Sequence, residues 1–218
     1  MKVVAIFSGG MDSSTMLYQL RAQGHEVKAI GFDYGQRHAV ELKAAKAIAS
    51  HAGVVYETVD LRSLGPVIAG QSSQVNLDVE VPDGHYTEES MKATVVPNRN
   101  MIMLSVAVAH AISIEFDAIA YGAHAGDHTI YPDCRTEFVD AMKTVIGLCD
   151  WKQVELLTPF VAVSKSDIAK IGGELQVPFG MTWSCYKGGT THCGSCGTCV
   201  ERREAFELAG IKDPTSYL

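Results

Sequence analysis

The sequence predicts an α/β fold, a Rossmann-like parallel sheet with helices on both faces, followed by a small C-terminal zinc-binding segment. Three observations carry that expectation. Short apolar runs rich in β-branched residues alternate with helix-periodic segments at least four times along 218 residues. A glycine-rich turn, Ser8-Gly9-Gly10, joins the first apolar run to the first helical segment. Four of the six cysteines fall within the fifteen residues from Cys185 to Cys199.

The elements follow in order. Residues 2–7 read as a buried strand, and 12–21 as a helix with Met16, Leu17 and Leu20 on one face. Residues 27–32 form a second apolar run, 40–51 an alanine-rich helix, and 54–59 a third strand of β-branched type. Residues 62–96 hold no sustained period and several Gly, Pro, Ser and Asp, so they are expected to form a long loop or lid. A long buried helix is expected over 99–114, a short strand over 118–121, and a helix over 135–149 with Phe138, Met142, Val145 and Cys149 at helical spacing. Residues 154–157 read as a strand. Ser164-Lys165-Ser166-Asp167 reads as a capped helix start with an acid at the third helical position, and a last helix covers 200–209. The organisation expected is a nucleotide-binding domain over 1–180 with the zinc-binding segment, 181–218, packed on it.

Bulk composition narrows the function. Hydrophobic residues make up 47% and charged residues 20%, as in ordinary globular domains. The apolar runs are too short to span a membrane, and the N-terminus lacks the basic region and cleavage site of a signal peptide, so a cytoplasmic location and no membrane partner are expected. A formal net charge of −7 argues against a general nucleic-acid binder.

The first loop reads as a phosphate cradle. Glycines let the backbone turn its N–H groups onto an anion, and the following helix adds unpaired N–H groups and its positive dipole end. Ser8, Ser13 and Ser14 add hydroxyls; the candidate binding set is Ser8, Gly9, Gly10, Met11, Asp12, Ser13 and Ser14. No lysine follows the glycines, which excludes a Walker A loop, and the dinucleotide fingerprint lacks its third glycine. Asp33, at the end of the second apolar run, stands where ribose or adenine contacts fall in such folds.

Cys185 and the Cys193-x-x-Cys196-x-x-Cys199 knuckle read as a closed tetrahedral zinc site, with Gly194 and Gly197 relaxing the turn. His192 is a competing ligand, and an iron–sulfur cluster is the rival metal centre. Cys149 reads as a small buried hydrophobe, whereas Cys134 lies beside polar motif residues and stays open.

Four further strings stand just beyond predicted strands or at helix starts: Phe32-Asp33-Tyr34-Gly35-Gln36-Arg37-His38; Pro97-Asn98-Arg99-Asn100; Asp127 with Tyr131-Pro132-Asp133-Cys134-Arg135; and Ser164-Lys165. The first loop resembles the PP-loop of the N-type ATP pyrophosphatases, which have the adenine nucleotide alpha hydrolase-like fold. With the other motifs, the chain from Lys2 to about Ala209 resembles the 7-cyano-7-deazaguanine (preQ0) synthases of queuosine biosynthesis. That resemblance implies a ligase that converts 7-carboxy-7-deazaguanine, ammonia and ATP to the nitrile. The carboxylate is adenylated, ammonia displaces AMP to give the amide, and a second ATP activates the amide oxygen for loss.

The resemblance further implies ATP with magnesium as co-substrate, a structural zinc, a homodimer, and no nucleic-acid partner. It assigns pyrophosphate and magnesium to the first loop with Asp12, and nucleoside contacts to Phe32 and Asp33. Arg99 and Lys165 neutralise developing phosphate charge. Asp127 or Asp133 accepts hydrogen bonds from the substrate's guanine-like edge while Tyr131 packs on its ring; Gln36, Arg37 and His38 face the substrate carboxylate or ammonia. Many members carry Cys-Glu-Thr before the aspartate at 127, where this chain has His124-Ala125-Gly126, so a reaction that ends at the amide is an open alternative. Another PP-loop enzyme such as a tRNA thiolase, a non-enzymatic zinc module, and a ligase acting on a macromolecule are the other readings. The clustered cysteines and acidic charge weigh against the first, the phosphate loop against the second, and the lack of an added domain against the third.

Overall fold

The computed structural model describes residues 1–85 and 91–218. Among the described residues, five strands form one all-parallel sheet: β1 (Lys2–Ile6), β2 (Glu26–Asp33), β3 (Val55–Asp60), β4 (Ala118–Ala120) and β5 (Glu155–Leu157), in the order β3-β2-β1-β4-β5. The helices that lie wholly within the described residues are α1 (Met11–Ala22), α2 (Val40–His51), the single turn α3 (Gly65–Ile68), α4 (Arg99–Ser113), α5 (Thr136–Ile146), α6 (Lys165–Glu174) and α7 (Gly197–Ala209). The fold class read from the sequence is therefore the one observed, and element ends differ from expectation by no more than three residues.

Strand periodicity sorts the core into two layers. Val4, Ile30, Ile119 and Leu156 point to the face covered by Leu104 and Val108 of α4 and Val139 and Met142 of α5. Val3, Ala5, Ala29, Ala118 and Ala120 point to the other, covered by Met16 and Leu17 of α1, Ala45 and Ile48 of α2, and Ile168 of α6. Strands buried on both faces have to be continuously apolar, which is why β1 and β4 read as plain hydrophobic runs. The strand order reverses between β1 and β4, and the loops after these two strands open the crevice where ligands sit in such sheets. A third cluster, Met11, Ala169, Val177, Phe179, Ala205 and Phe206, fastens α7 to α1 and α6.

Three local expectations are corrected. The 62–96 stretch is not one open loop: it begins with a 3-10 turn, Arg62–Leu64, and α3, and its Ser72, Ser73 and Gln74 are buried. The part of the expected lid over 86–90 lies outside the described residues. Cys149 lies beyond the end of α5 and is exposed, because the inward stripe of α5 is Val139, Met142 and Ile146, leaving Val145 on the outside. Gly194 takes a left-handed turn (φ 72°), as a knuckle glycine must, but Gly197 is the first residue of α7.

Candidate active site

A cleft of about 240 Å³ lies over the β1–β4 switch point and receives residues from α1, α2, α4, the loops after β2 and β4, α6 and the C-terminal segment. The phosphate loop forms one wall. Gly10 caps α1 without any side-chain hydrogen bond, so the first N–H groups of the helix are available to an anion. Ser8 Oγ lies 3.2 Å from Ser13 Oγ and accepts from Gly10 N at 3.4 Å, which gathers the two hydroxyls at the helix mouth. Gly9 sits at φ 79°, where an added Cβ would lie 2.5 Å from Ala45 N and 2.9 Å from Glu41 O. The loop thus needs glycine there for two reasons, its handedness and the backbone of α2 pressed against it. Ser14 is fully buried under the loop and does not reach the cleft wall.

Charges converge on the floor. Asp12 Oδ2 lies 3.4 Å from Lys165 Nζ and 3.8 Å from His124 Nε2, and Lys165 Nζ lies 2.8 Å from Glu201 Oε2. Burial alone would raise the Asp12 pKa, but Lys165 and His124 outweigh it and hold the carboxyl below its ordinary value. Burial would likewise lower the pKa of Lys165, yet Asp12, Glu201 and Asp127 keep its ammonium charged. At Asp127, burial wins over the attraction of His124 and Lys165, and its pKa is raised. Asp12 Oδ1 is buried without a hydrogen-bond partner among the described residues.

The His124-Ala125-Gly126 stretch has a local logic. His124 is buried, and its Nδ1 accepts from Gly126 N at 3.1 Å. Its Nε2 faces Asp127 Oδ2 at 3.4 Å. A Cβ at Gly126 would stand 3.0 Å from His124 Cε1, so the glycine makes room for the ring.

The opposite wall carries Tyr34, His38, Glu41, Arg99, Tyr131 and Tyr186. Arg99 Nη1 donates to Tyr34 Oη at 3.2 Å, and its guanidinium lies 6.0 Å from the Tyr34 ring centroid. Tyr131 Oη is 2.8 Å from Thr94 Oγ1, and His38 packs on Tyr186 with centroids 5.2 Å apart. Gln36 Nε2 donates to Glu41 Oε1 at 3.0 Å. Burial lifts the Glu41 pKa to about 7, against the pull of Gln36 and Arg99, and pushes that of His38 down to about 3.

Of the sequence-derived candidates, Ser8, Gly10, Met11, Asp12, Ser13, Phe32, His38, Arg99, Asp127, Tyr131 and Lys165 line this cleft. Others are turned to structural work. Arg37 points away, donating to the carbonyls of Ser73, Asn76, Leu77 and Val79 at 2.8–3.2 Å, and so holds the 72–79 loop. Gln36 is buried, bridging Phe32 O and Tyr34 N. Asp33 accepts from Gly35 N at 3.1 Å and lies 3.8 Å from Arg62, off the cleft wall. Asp133 Oδ2 accepts from Asn100 N at 3.2 Å at the start of α4, where Asn98 (φ 56°) offers no side-chain cap. Sequence reading missed Glu41 and Glu201. Both lie within amphipathic helices, where an acid reads as part of a solvated face.

The cysteines assemble as expected. The ligand atoms of Cys185, Cys193, Cys196 and Cys199 all lie within 4.8 Å of one another, a set that could hold a metal ion. N–H groups of Ser195 and Cys196 point at Cys193 Sγ, and that of Cys193 at Cys185 Sγ, at 3.2–3.4 Å. His192 is not a fifth ligand: its Nε2 accepts from Ser184 N at 3.0 Å, and its ring packs on Trp183 with centroids 4.3 Å apart. The segment also belongs to the cleft, since Trp183, Ser184, Tyr186, Thr198 and Glu201 line it. Arg202, fully buried behind them, donates to Thr182 Oγ1, Phe179 O and Asp213, which fixes the first turns of α7.

Residues 2–210 match the model of the family described as queuosine biosynthesis protein QueC. The chain is 52% identical over 220 residues to the 7-cyano-7-deazaguanine synthase of Caldicellulosiruptor saccharolyticus, covering 100% of this chain and 96% of that one. It is 51% identical over 219 residues to the enzyme of the same name from Sinorhizobium fredii, covering 100% and 92%. Among solved structures, the U34-tRNA thiolase NcsA from Methanococcus maripaludis superposes with TM-score 0.56 at 18% identity, over 95% of this chain and 65% of that one. The NMN synthetase from Francisella tularensis superposes with TM-score 0.54 at 16% identity, over 97% and 77%. At such identities these two structures share the fold.

Proposed function

The chain belongs to the queuosine biosynthesis protein QueC family, and from that premise we propose how its cleft performs the synthesis of 7-cyano-7-deazaguanine from 7-carboxy-7-deazaguanine, ammonia and ATP. It is an ATP-dependent ligase that forms a C–N bond. Carboxylate and amide oxygens are poor leaving groups, so each is first joined to the α-phosphorus of ATP while pyrophosphate departs. The observation that carries the reading is the floor of the cleft, where an uncapped helix N-terminus and Lys165 meet Asp12. In the proposed mechanism the N-terminal N–H groups of α1 and the hydroxyls of Ser8 and Ser13 hold the departing pyrophosphate, and Lys165 balances the negative charge that gathers there. Asp12, with its buried and unpartnered Oδ1, is the residue that would hold the magnesium accompanying ATP.

For Arg99 we propose a role other than the phosphate contact expected from sequence. Its guanidinium stands among Tyr34, Tyr131 and Tyr186, so it anchors the carboxylate of the deazaguanine while the tyrosines pack around the flat ring. Asp127, whose pKa is raised, accepts from or donates to the guanine-like edge. Phe32 lines the nucleoside side of the cleft.

We assign zinc to the four cysteines. In a tetrahedral site with Zn–S bonds of about 2.3 Å, sulfurs stand about 3.8 Å apart, and Cys193 Sγ and Cys199 Sγ are 3.9 Å apart. A four-iron cluster would take each thiolate on a different iron and spread them wider. Cys134, the remaining cysteine at the cleft, has its thiol pushed up by burial and by Asp127 and Asp133, unlike a sulfur carrier. The partners proposed are small molecules and a second copy of the chain, with no nucleic acid. No helix among the described residues is long and apolar enough to cross a membrane, and the enzyme is proposed to work in the cytoplasm.

The adenylation step is tested by exchange of labelled pyrophosphate into ATP. Exchange that requires 7-carboxy-7-deazaguanine and proceeds without ammonium is the result expected. Exchange that is indifferent to that carboxylate contradicts the substrate assignment.

A further inference from the structure

We propose that Glu41 is the base that removes protons from the nitrogen nucleophile, first when ammonia attacks the adenylated carboxylate and again when the amide nitrogen becomes a nitrile. This rests on the synthase reading above and goes beyond it, because adenylation explains the leaving group but leaves the nitrogen's protons without an acceptor.

The stoichiometry demands such a group. Near neutral pH, ammonia is mostly ammonium, which has no lone pair. One N–H pair must return to nitrogen, with its proton passing to a base, before the N–C bond forms. The adduct's nitrogen then gives up a second proton, restoring its lone pair, as the C–O bond to AMP breaks with its electrons leaving on AMP; the amide keeps two N–H protons. In the second round the amide oxygen bonds to phosphorus and pyrophosphate leaves. Both remaining N–H protons are then lost as the C–O bond breaks again and the electrons left on nitrogen complete the triple bond. No oxidant or reductant is involved.

The cleft holds a carboxylate built for that task. Glu41, in the first turn of α2, lines the wall beside Arg99, which anchors the carbon under attack. Its Oε1 is pinned by Gln36 Nε2 at 3.0 Å and lies 3.5 Å from His38 Nε2. Gln36 is itself fixed by Tyr34 N and Phe32 O, so the loop after β2 is shaped to aim one amide N–H at Glu41. The charged or titratable residues facing it among the described residues are His38 from the turn before α2, Arg99 from α4, Tyr34 just after β2 and Tyr56 from β3. A carboxyl with a pKa near 7 is suited to a proton carrier at neutral pH, since it can both take a proton and give it up.

The test compares wild type with Glu41→Gln, which preserves shape and the bond from Gln36. The readout is the ratio of ammonium-dependent amide and nitrile formation to carboxylate-dependent pyrophosphate exchange. The ratio is expected to fall by about 100-fold or more, and the acid limb of the wild-type pH profile near neutrality should vanish. Hydroxylamine, largely unprotonated at neutral pH, should restore capture of the adenylate as the hydroxamate, and Glu41→Asp should recover part of the ammonium-dependent rate. An unchanged ratio, with product formation and exchange both intact or both lost, overturns the proposal, as does a variant that hydroxylamine does not rescue. Wild-type protein that makes no nitrile contradicts the synthase reading itself, and so separates the two failures.

Discussion

Lys165 Nζ lies 2.8 Å from Glu201 Oε2, joining the first residue of α6 to a helix that grows directly out of the cysteine cluster. The cysteine cluster and the candidate phosphate site are thereby one construction. Both partners are mostly shielded, so removing one leaves a poorly solvated charge behind. Glu201→Gln is expected to lower kcat/KM by about tenfold, a loss of ~1.4 kcal/mol in transition-state stabilisation, while zinc content stays unchanged. Steady-state kinetics with metal analysis checks this; unchanged kinetics would mean that the pair positions nothing.

Asp12→Ala should abolish pyrophosphate exchange, a loss of at least about 100-fold, without unfolding the chain. Lys165 retains Glu201 as a counter-ion, and Asp12 caps no helix and supports no buried layer. Circular dichroism and zinc content should match wild type. A variant that exchanges normally contradicts the magnesium and phosphate assignment.

Gly9→Ala has to fail for steric reasons, since its Cβ would enter the backbone of α2 at Ala45. A left-handed conformation and a backbone clash together are worth about 1–3 kcal/mol. A fall in Tm, with a raised KM for ATP, is the expected outcome of a thermal melt and a titration; an alanine variant as stable as wild type would mean that α2 does not press on the loop as described.

Glu41 also makes stability depend on pH. Its pKa rises from an ordinary 4.5 to about 7 on folding, so the folded state binds its proton more tightly than the unfolded state does. The sign is fixed by that: between about pH 4.5 and pH 7 the unfolded chain holds fewer protons at this site, and stability falls as pH rises. Above pH 7 the full burden remains, on the order of 3 kcal/mol. Glu41→Gln should therefore gain stability relative to wild type between pH 5 and pH 8, in paired thermal melts. A constant difference across that range would place the carboxyl in a better-solvated setting.

Removing the metal should cost activity as well as stability. Cys196 precedes α7 and Cys199 lies in its first turn, so losing the metal frees the helix that carries Glu201 and Arg202. Chelation, or Cys193→Ser, should lower Tm and stop turnover together, and metal analysis should find one zinc per chain. Iron in its place would contradict the assignment.

Much of this was legible in the sequence, for identifiable reasons. Parallel strands buried on both faces announce themselves as apolar runs, and the phosphate loop and the cysteine knuckle are local in sequence. What stayed hidden depends on long-range direction. Arg37 looks like an anion ligand in a motif, yet its guanidinium serves the backbone of residues 73–79. Asp133 sits in a motif and supports the start of α4. Glu41 and Glu201 are one residue each on otherwise ordinary helices, and only the packing of α2 and α7 over the switch point turns them inward. Cys149 went the other way, because the helical stripe stops at Ile146.

The central claim is that one cleft uses adenylation to carry a carboxylate through an amide to a nitrile. Its most direct test is to incubate the protein with 7-carboxy-7-deazaguanine, ammonium, ATP and magnesium, and to weigh every product by mass spectrometry. The account predicts 7-cyano-7-deazaguanine with two AMP for each nitrile. Amide with a single AMP would confine the enzyme to the first half of the reaction and point to His124-Ala125-Gly126; no AMP at all would contradict the account.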